Sequence, residues 1–286
     1  AKDIEDVHRI MDAEGIRLPV VAKIEKPQAA ANLVEIVETF DGIMVARGDL
    51  GVEMPIEEVP LVQKRCIELA RANAKPVIVA TQMLDSMITN SRPTRAESTD
   101  CANAVLDGAD ALMLSGETSV GAFAIEAVQT MARIIERTEE ELLDRIPPLR
   151  TAPKSKGGAI TRAASEVGHI VEAKLLITFT QSGDSARRMS RLRSEIPMIA
   201  ITPEHHVFNQ LALSWGVQPM ISELVSTTDE MVRQADKIVL KHNLAEKGNL
   251  VVIVAGSPPG IPGSINAMRV HKVGDAVDGV VAAYRK

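Results

Sequence analysis

Short apolar runs alternate along the first half of the chain with longer segments in which apolar residues recur every three or four positions. The first pattern is typical of strands buried in a parallel sheet, and the second of amphipathic helices that pack on such a sheet. The alternation resumes in the second half, where Ser226 followed by Asp229 marks the start of a helix that reaches Lys241. The predicted strands are 19–25, 42–47, 77–81 and 110–114, and then 174–178, 197–201, 216–220, 249–255 and 268–273.

This alternation predicts an α/β fold, and a proline-rich stretch divides it into two domains. We expect a partial (β/α) barrel over residues 1–145, a linker over 146–153 and a separate α/β domain with a mostly parallel sheet over 154–286. A complete TIM (β/α)8 barrel needs eight strand–helix units in ~250 residues. The first domain has room for half of that, so we favour the second half of a TIM barrel. An open, doubly wound four-stranded sheet is the alternative.

Charged residues stand where the first two apolar runs end. Lys23 and Glu25 close the first run, and Asp49 follows the second. In (β/α) barrels the carboxyl ends of the strands carry the active site. Two carboxylates and a lysine there could hold a divalent cation and an acidic, phosphorylated or enolic substrate. A simple ion-paired strand end explains the same residues equally well.

Composition narrows the possible partners. The chain has 32 basic and 38 acidic residues, a formal net charge of −6, and a single Trp and a single Tyr. Binding to nucleic acid or to an anionic membrane calls for positive charge, and base stacking calls for aromatic side chains, so we expect neither partner. Cys66 and Cys101 lack metal-ligand spacing, and we expect them to be reduced core thiols in a cytoplasmic protein.

Five motifs stand in order along the chain: Lys23-Ile24-Glu25, Met44-Val45-Ala46-Arg47-Gly48-Asp49-Leu50-Gly51, Ala80-Thr81-Gln82-Met83-Leu84, Arg92-Pro93-Thr94-Arg95-Ala96-Glu97 and Leu114-Ser115-Gly116-Glu117-Thr118. In their order and spacing they resemble pyruvate kinase. The resemblance extends from Ala1 to Lys286 and covers the last four barrel units and the carboxyl-terminal effector domain. Because Ala1 lies inside a helix pattern without an initiator Met, we expect a piece of a longer protein.

The resemblance implies phosphoryl transfer from phosphoenolpyruvate to ADP, which gives pyruvate and ATP in glycolysis. It implies that Glu25 and Asp49 bind Mg²⁺ or Mn²⁺, and that Lys23 faces the transferring phosphoryl group. Thr81 would help to protonate the enolate, and the backbone N–H groups of Gly48 and Asp49 would hold the substrate carboxylate.

Three further residues have supporting roles in this interpretation. Glu117 would support the site, while Arg47 and Arg95 would serve subunit contacts in an allosteric homotetramer, the usual state of the family.

A second site is expected in the distal domain, where hydroxyl and N–H groups follow a strand and open a helix. The residues themselves suit ordinary helix capping; the resemblance instead implies an effector site, over which the loop 257–264 would fold. Because Asp184 would repel a second phosphate, we expect a sugar monophosphate or AMP as effector. The predicted effector residues are Thr180, Gln181, Ser182, Gly183, Ser185, Gly260 and Gly263.

The resemblance also indicates what this chain lacks. The amino-terminal half of the barrel, the lid domain, the K⁺ ligands and most nucleotide contacts of the family have no counterpart here. We therefore expect the chain alone to be inactive or nearly so until the missing half is supplied. Two alternatives stay open: a non-catalytic regulatory module that binds a phosphorylated effector, and a Mg²⁺-dependent keto-acid aldolase or lyase barrel.

Overall fold

The structure is a computed structural model that describes residues 1–257, 259, 263 and 265–276. The chain divides into two compact units, Ala1–Leu149 and Arg150–Lys286. The division falls within the segment 146–153, for which the sequence predicts a linker. Each unit contains its own sheet.

The first unit alternates strands and helices after one leading helix. The predicted helix after β1 is divided in two at Asn32, whose side-chain amide donates to the Gln28 carbonyl at 2.9 Å and ends α2. The helices and strands are α1 (Asp3–Glu14), β1 (Val21–Ile24), α2 (Pro27–Ala31), α3 (Leu33–Thr39), β2 (Gly42–Ala46), α4 (Arg47–Glu53), α5 (Val59–Ala72), β3 (Val77–Ala80), α6 (Arg95–Asp107), β4 (Ala111–Met113), α7 (Gly116–Ser119) and α8 (Ala124–Leu142). Short 3₁₀ turns occupy Ile56–Glu58, Asp85–Ile88 and Leu143–Arg145.

The first sheet is parallel, with its strands in the order β1-β2-β3-β4. Val45 and its register partner Val79 lie on a face that the helices bury, whereas Met44 and its partner Ile78 lie on a face that is only half-buried. A doubly wound sheet would reverse its strand order and cover both faces. In a barrel segment, neighbouring strands follow one another in sequence order and helices cover only the outer face of the sheet. The first sheet has both features, so the half-barrel prediction is confirmed.

The second unit has a five-stranded sheet in the order β7-β6-β5-β8-β9, in which only β9 runs antiparallel. The prediction of a mostly parallel sheet is therefore confirmed. Its elements are α9 (Lys156–Ile170), β5 (Leu175–Phe179), α10 (Asp184–Ser190), β6 (Met198–Thr202), α11 (His205–Leu211), β7 (Val217–Ile221), α12 (Thr228–Lys241), β8 (Leu250–Gly256) and β9 (Ile265–Lys272).

Successive residues of β5 face opposite cores, which explains its nearly continuous apolar sequence. Ile177 packs in one buried cluster with Val239 of α12, whereas Leu176 packs in another with Ala164 of α9. Strand order turns back at β5, because β6 and β7 lie on one side of it and β8 on the other. Such a switch point leaves a crevice at the carboxyl ends of the two central strands.

The predicted start of α12 is wrong by one residue. Thr227 caps the helix, not Ser226: the Thr227 hydroxyl accepts from the Glu230 N–H at 3.2 Å, and the Glu230 carboxylate accepts from the Thr227 N–H at 3.2 Å. These two reciprocal hydrogen bonds form a capping box, which Glu230 completes and Asp229, three residues after Ser226, does not.

Both cysteines are buried and free, as expected. Burial raises the pKa of each thiol to about 12, which leaves little thiolate for oxidation or metal binding. None of the helices in the described part of the chain is long and apolar enough to cross a membrane.

Candidate functional site

Lys23, Glu25 and Asp49 converge at the carboxyl edge of the first sheet. The Lys23 ammonium lies 2.5 Å from a Glu25 carboxylate oxygen and 2.9 Å from an Asp49 carboxylate oxygen. Strand β1 presents the lysine, Glu25 follows that strand at once, and Asp49 stands in the first turn of α4. In this structure the cation that the two carboxylates share is the lysine.

The cluster is open to solvent. The side chains of Lys23, Glu25 and Asp49 are 50%, 35% and 51% exposed. Hydrogen bonds to Asp49 and then to Glu25 raise the pKa of Lys23 above its ordinary value, so the ammonium form persists at every physiological pH. A charged lysine and two carboxylates on an exposed strand edge suit a small anionic substrate together with a cation.

The carboxylate oxygens of Glu25 and Asp49 suit a hard divalent cation, and in this structure the Lys23 ammonium stands in for that cation. Carboxylate oxygens are the ligands that Mg²⁺ and Mn²⁺ prefer, and Mg²⁺ is usually held by one or two carboxylates plus water and substrate oxygens. Within the described residues no group of three or more His, Cys, Asp or Glu side chains is placed to bind a metal. Glu25 and Asp49 would thus supply a partial ligand set, and a bound substrate and water would complete it.

Thr81 adopts an unusual backbone conformation beside this cluster. The strand prediction of 77–81 is one residue too long, because β3 ends at Ala80 and Thr81 has φ +70°. A β-branched residue in the left-handed region is strained, and such strain concentrates at functional sites. The bend directs the Thr81 hydroxyl to the Gly48 N–H, which donates to it at 2.7 Å, while the hydroxyl donates to the Ala80 carbonyl at 2.6 Å.

Gly48 and Thr81 therefore approach closely across the strand ends. A Cβ on Gly48 would lie 3.3 Å from the Thr81 hydroxyl oxygen, a tight contact that a larger residue could make only if Thr81 shifted. Because the Gly48 N–H already has this acceptor, its predicted hydrogen bond to a substrate carboxylate would require Thr81 to release it.

Arg47 holds the strained turn from within the unit. Its guanidinium donates to the Thr81 carbonyl at 2.9 Å and to the Gln82 carbonyl at 3.1 Å, and forms an ion pair with Asp100 at 2.6 Å. Only 11% of the Arg47 side chain is exposed. Arg47 therefore has an internal role in this unit, and the subunit contacts expected for Arg47 and for the exposed Arg95 stay predictions.

Glu117 links two turns at the same end of the sheet. Its carboxylate, in a residue only 1% exposed, accepts from the Leu84 N–H at 3.1 Å after β3 and from the Ser115 N–H at 2.7 Å after β4. The contact geometry agrees with the supporting role that the sequence predicts, since the side chain positions backbone without facing the open cluster.

In the second unit a cavity opens at the switch point of the sheet. Phe179 and Thr180 reach it from the end of β5, and Ala255 and Gly256 from the end of β8. Its remaining wall comes from residues 181–182 and 184–185, from the end of β6 and the chain after it, from residues 223–225 after β7, from α12, and from Pro259, Gly263 and the start of β9. A ligand crevice is expected at this place in a doubly wound sheet. The sequence predicts the part of this site at residues 180–185, but not the walls after β7 and on α12, because apolar periodicity does not give the strand order that brings them there.

Most of the predicted effector residues line the cavity. These are Thr180, Gln181, Ser182, Ser185 and Gly263. Gly183 is not among the lining residues; its N–H donates to the Thr180 hydroxyl at 2.9 Å. Gly260 lies outside the described residues.

Asp184 is a weaker obstacle to a second phosphate than the sequence predicts. Its carboxylate forms an ion pair with Arg188 at 2.6 Å, so its charge is balanced and repels a phosphate less. The cavity itself gives a better reason: among its described lining residues none is Lys or Arg, whereas Glu223 is an exposed carboxylate. A ligand with two phosphates would find no cation there among the residues described.

Comparisons with known proteins agree across both units. The family model described as "Pyruvate kinase, barrel domain" matches residues 1–128, and "Pyruvate kinase, alpha/beta domain" matches residues 158–271. Pyruvate kinase of Mycobacterium tuberculosis is 58% identical over 96% of this chain and 58% of the relative, and that of Corynebacterium glutamicum is 55% identical over 96% and 57%. The crystal structure of a pyruvate kinase from Cryptosporidium parvum superposes with a TM-score of 0.81 at 37% identity, and covers 90% of this chain and 52% of that one.

The chain thus spans somewhat more than half the length of the curated relatives it matches. Neither family model describes an aldolase or a lyase. With a half-barrel and an α/β domain that each match their own model, and a lysine–dicarboxylate cluster at the strand ends, the chain belongs to the pyruvate kinase family.

Proposed function

We propose that this chain supplies the carboxyl-terminal part of a pyruvate kinase, which transfers a phosphoryl group from phosphoenolpyruvate to ADP and releases pyruvate and ATP. The observation that carries the proposal is the convergence of Lys23, Glu25 and Asp49 at the carboxyl edge of the barrel strands. Ion-paired strand ends are common, but this one combines two hard-oxygen ligands with a cation beside the strained turn at Thr81.

Each residue has a role that its chemistry allows. Glu25 and Asp49 would hold Mg²⁺ or Mn²⁺, which when bound neutralises negative charge on the substrate. Lys23 would place its ammonium against the phosphoryl group in transfer, where electrostatic stabilisation supplies most of the catalysis.

Thr81 and Gly48 would act on the other end of the substrate. The Thr81 hydroxyl, already a donor and an acceptor, would position the proton that the enolate takes up. Gly48 would exchange its hydrogen bond to Thr81 for one to the substrate carboxylate. Binding at Gly48 would then leave the Thr81 oxygen free for that proton.

The complete enzyme would need more than this chain. The amino-terminal half of the barrel would bring the K⁺ ligands, the nucleotide contacts and the wall that excludes water from the site. A homotetramer in the cytoplasm is the assembly and location that we propose for it. The two sheet edges, β1 and β4, have one strand partner each among the described residues and would pair with the missing strands.

The test is reconstitution of ADP-dependent pyruvate formation with Mg²⁺ and K⁺ present. We expect no turnover by the purified chain, and turnover when it is fused to the amino-terminal part of a relative that this chain does not match. Turnover by the chain alone would contradict our account of a missing wall. A well-folded fusion without turnover would contradict the proposed activity.

A second candidate, a regulatory module, is favoured by the cavity at the switch point of the second sheet. We propose that it binds a monophosphorylated effector, a sugar monophosphate or AMP, with the phosphate at residues 180–185. Calorimetry on the full chain should detect glucose 6-phosphate or AMP and find weaker binding of fructose 1,6-bisphosphate. Ser182→Asp should abolish binding and Ser91→Asp, an exposed control in the first unit, should not. Tighter binding of the bisphosphate would contradict the proposal.

A further inference from the structure

Both carboxylates that we propose as metal ligands are occupied by a cation of the chain itself. The Lys23 ammonium contacts Glu25 at 2.5 Å and Asp49 at 2.9 Å, and these two contacts define its position. The same lysine is the residue that we propose to face the substrate phosphoryl group. In this structure it is instead turned towards the metal ligands.

One pair of carboxylates cannot hold both cations in this arrangement. A divalent ion binds oxygens at about 2.0–2.1 Å and would need the space between Glu25 and Asp49 that the ammonium fills. Two positive charges at that distance would also repel strongly. Binding of one cation therefore requires that the other leave.

The lysine is the group that can move. Glu25 follows β1 directly and Asp49 belongs to the first turn of α4, and both carboxylates are carried on side chains shorter than that of lysine. The Lys23 side chain has four rotatable carbon bonds and is half-exposed, and its ammonium can leave without disturbing a core contact.

We infer that Lys23 and the divalent cation compete for Glu25 and Asp49, so that binding of the metal releases the Lys23 ammonium towards the anionic substrate. This inference rests on the proposed function, because it takes Glu25 and Asp49 as the metal ligands. Metal binding then does two things: it occupies the carboxylates, and it converts a lysine engaged in ion pairs into one that is free to bind phosphate. An empty site keeps its lysine neutralised and binds the anionic substrate poorly.

The test is binding of Mn²⁺ alone to the full chain, measured from the electron paramagnetic resonance signal of the free ion. Lys23→Met removes the competitor and should tighten Mn²⁺ binding by about three- to thirtyfold, since two exposed ion pairs no longer have to be broken. Lys26→Met is the matched control: Lys26 is exposed and next to the site, but its carboxylate partner is Glu53, at 3.9 Å. It should change Mn²⁺ affinity less than threefold.

The other outcomes separate the inference from the proposed function. If Glu25→Gln and Asp49→Asn weaken Mn²⁺ binding while Lys23→Met leaves it unchanged or weaker, the metal site stands and the competition is refuted. If neither carboxylate variant alters Mn²⁺ binding, or no variant binds the ion, the metal site and the inference both fall. A crystal soaked in Mn²⁺ should show the Lys23 ammonium more than 3.5 Å from at least one of the two carboxylates.

Discussion

Thr81 shows how strain at one residue is maintained by its neighbours. A β-branched residue at φ +70° is unfavourable by about 1–3 kcal/mol, and it persists where surrounding contacts fix it. Here the Arg47 guanidinium holds the carbonyls of Thr81 and Gln82, and the Gly48 N–H holds the Thr81 hydroxyl. The bend that carries a proposed catalytic hydroxyl thus depends on an arginine that is distant in sequence.

Replacement of Arg47 should therefore cost the first unit much of its stability. Arg47→Met leaves Asp100 without its ion-pair partner and two carbonyls without a donor, and we expect a loss of about 2–4 kcal/mol. Urea unfolding followed by circular dichroism measures it. Arg95→Met, an exposed arginine on α6, should change stability by less than about 0.5 kcal/mol. Equal effects of the two substitutions would show that the internal contacts of Arg47 do not matter.

Residue types at the site could be predicted from the sequence, but their contacts could not. Lys23, Glu25 and Asp49 follow apolar runs, and the rule that strand ends meet at one edge brings them together. The hydrogen bond between Gly48 and Thr81 and the role of Arg47 depend on backbone angles and on residues more than 30 positions apart. Periodicity carries no information on either, so the internal contacts of Arg47 could not be predicted.

Among the elements, α6 begins with a capping box in which the Glu97 carboxylate accepts hydrogen bonds from two segments of the chain. Glu97 accepts from the N–H and hydroxyl of Thr94 at the start of the helix, and from the N–H and hydroxyl of Ser86 in the preceding 3₁₀ turn. Partial burial by itself would raise the pKa of Glu97, but the hydrogen bonds from Ser86 and Thr94 together hold it below its ordinary value. The charged form is therefore the one that joins the two segments.

Stability should consequently depend on pH through Glu97. Because its pKa in the folded chain is lowered, its contribution is complete above the pKa of the unfolded chain, about 4.3, and disappears as pH falls through the lower folded value. We expect Glu97→Gln to be less stable than the parent by about 1–2 kcal/mol at pH 7, and the difference to shrink below about pH 4. Glu14→Gln, an exposed control, should show no such gap. A difference that stays constant with pH would contradict this role.

In the second unit a buried pair joins β9 to α12. His271 lies 2.8 Å from one Asp236 carboxylate oxygen, the other oxygen accepts from the Ala276 N–H at 3.1 Å, and both side chains are almost fully buried. The sequence gives no signal of this pair, because the residues are 35 positions apart on different elements. The cavity walls after β7 and on α12 likewise depend on strand order and were not predictable, whereas residues 180–185 were.

Truncation of Asp236 should destabilise the second unit strongly. Asp236→Ala leaves a buried imidazole and a backbone N–H without an acceptor, and we expect a loss of about 3–5 kcal/mol. Fluorescence of Trp215, the single tryptophan of the chain, reports unfolding of this unit. Asp236→Asn keeps an acceptor oxygen and should cost less. If the two variants unfold at the same urea concentration, the hydrogen bonds contribute little.

At the scale of the whole molecule, each of the two units has its own sheet and its own proposed function. The first presents part of a catalytic site on the open edge of a half-barrel, and the second presents a ligand crevice at a switch point. Apolar periodicity predicts the strands and the helices between them, whereas strand order and the one-sided burial of the first sheet come from the structure. How much of an active site this chain can form alone depends on the strands that would pair with β1 and β4.

The most direct test of the central claim is the turnover number of the reconstituted fusion with and without Lys23. Removal of one preorganised electrostatic group typically lowers kcat by about 10²–10³, and we predict at least that loss for Lys23→Met, with Lys26→Met within about threefold of the parent. Unfolding curves that coincide for the two variants would exclude a folding defect. Turnover of Lys23→Met close to that of the parent would contradict the assignment of this cluster as the catalytic site.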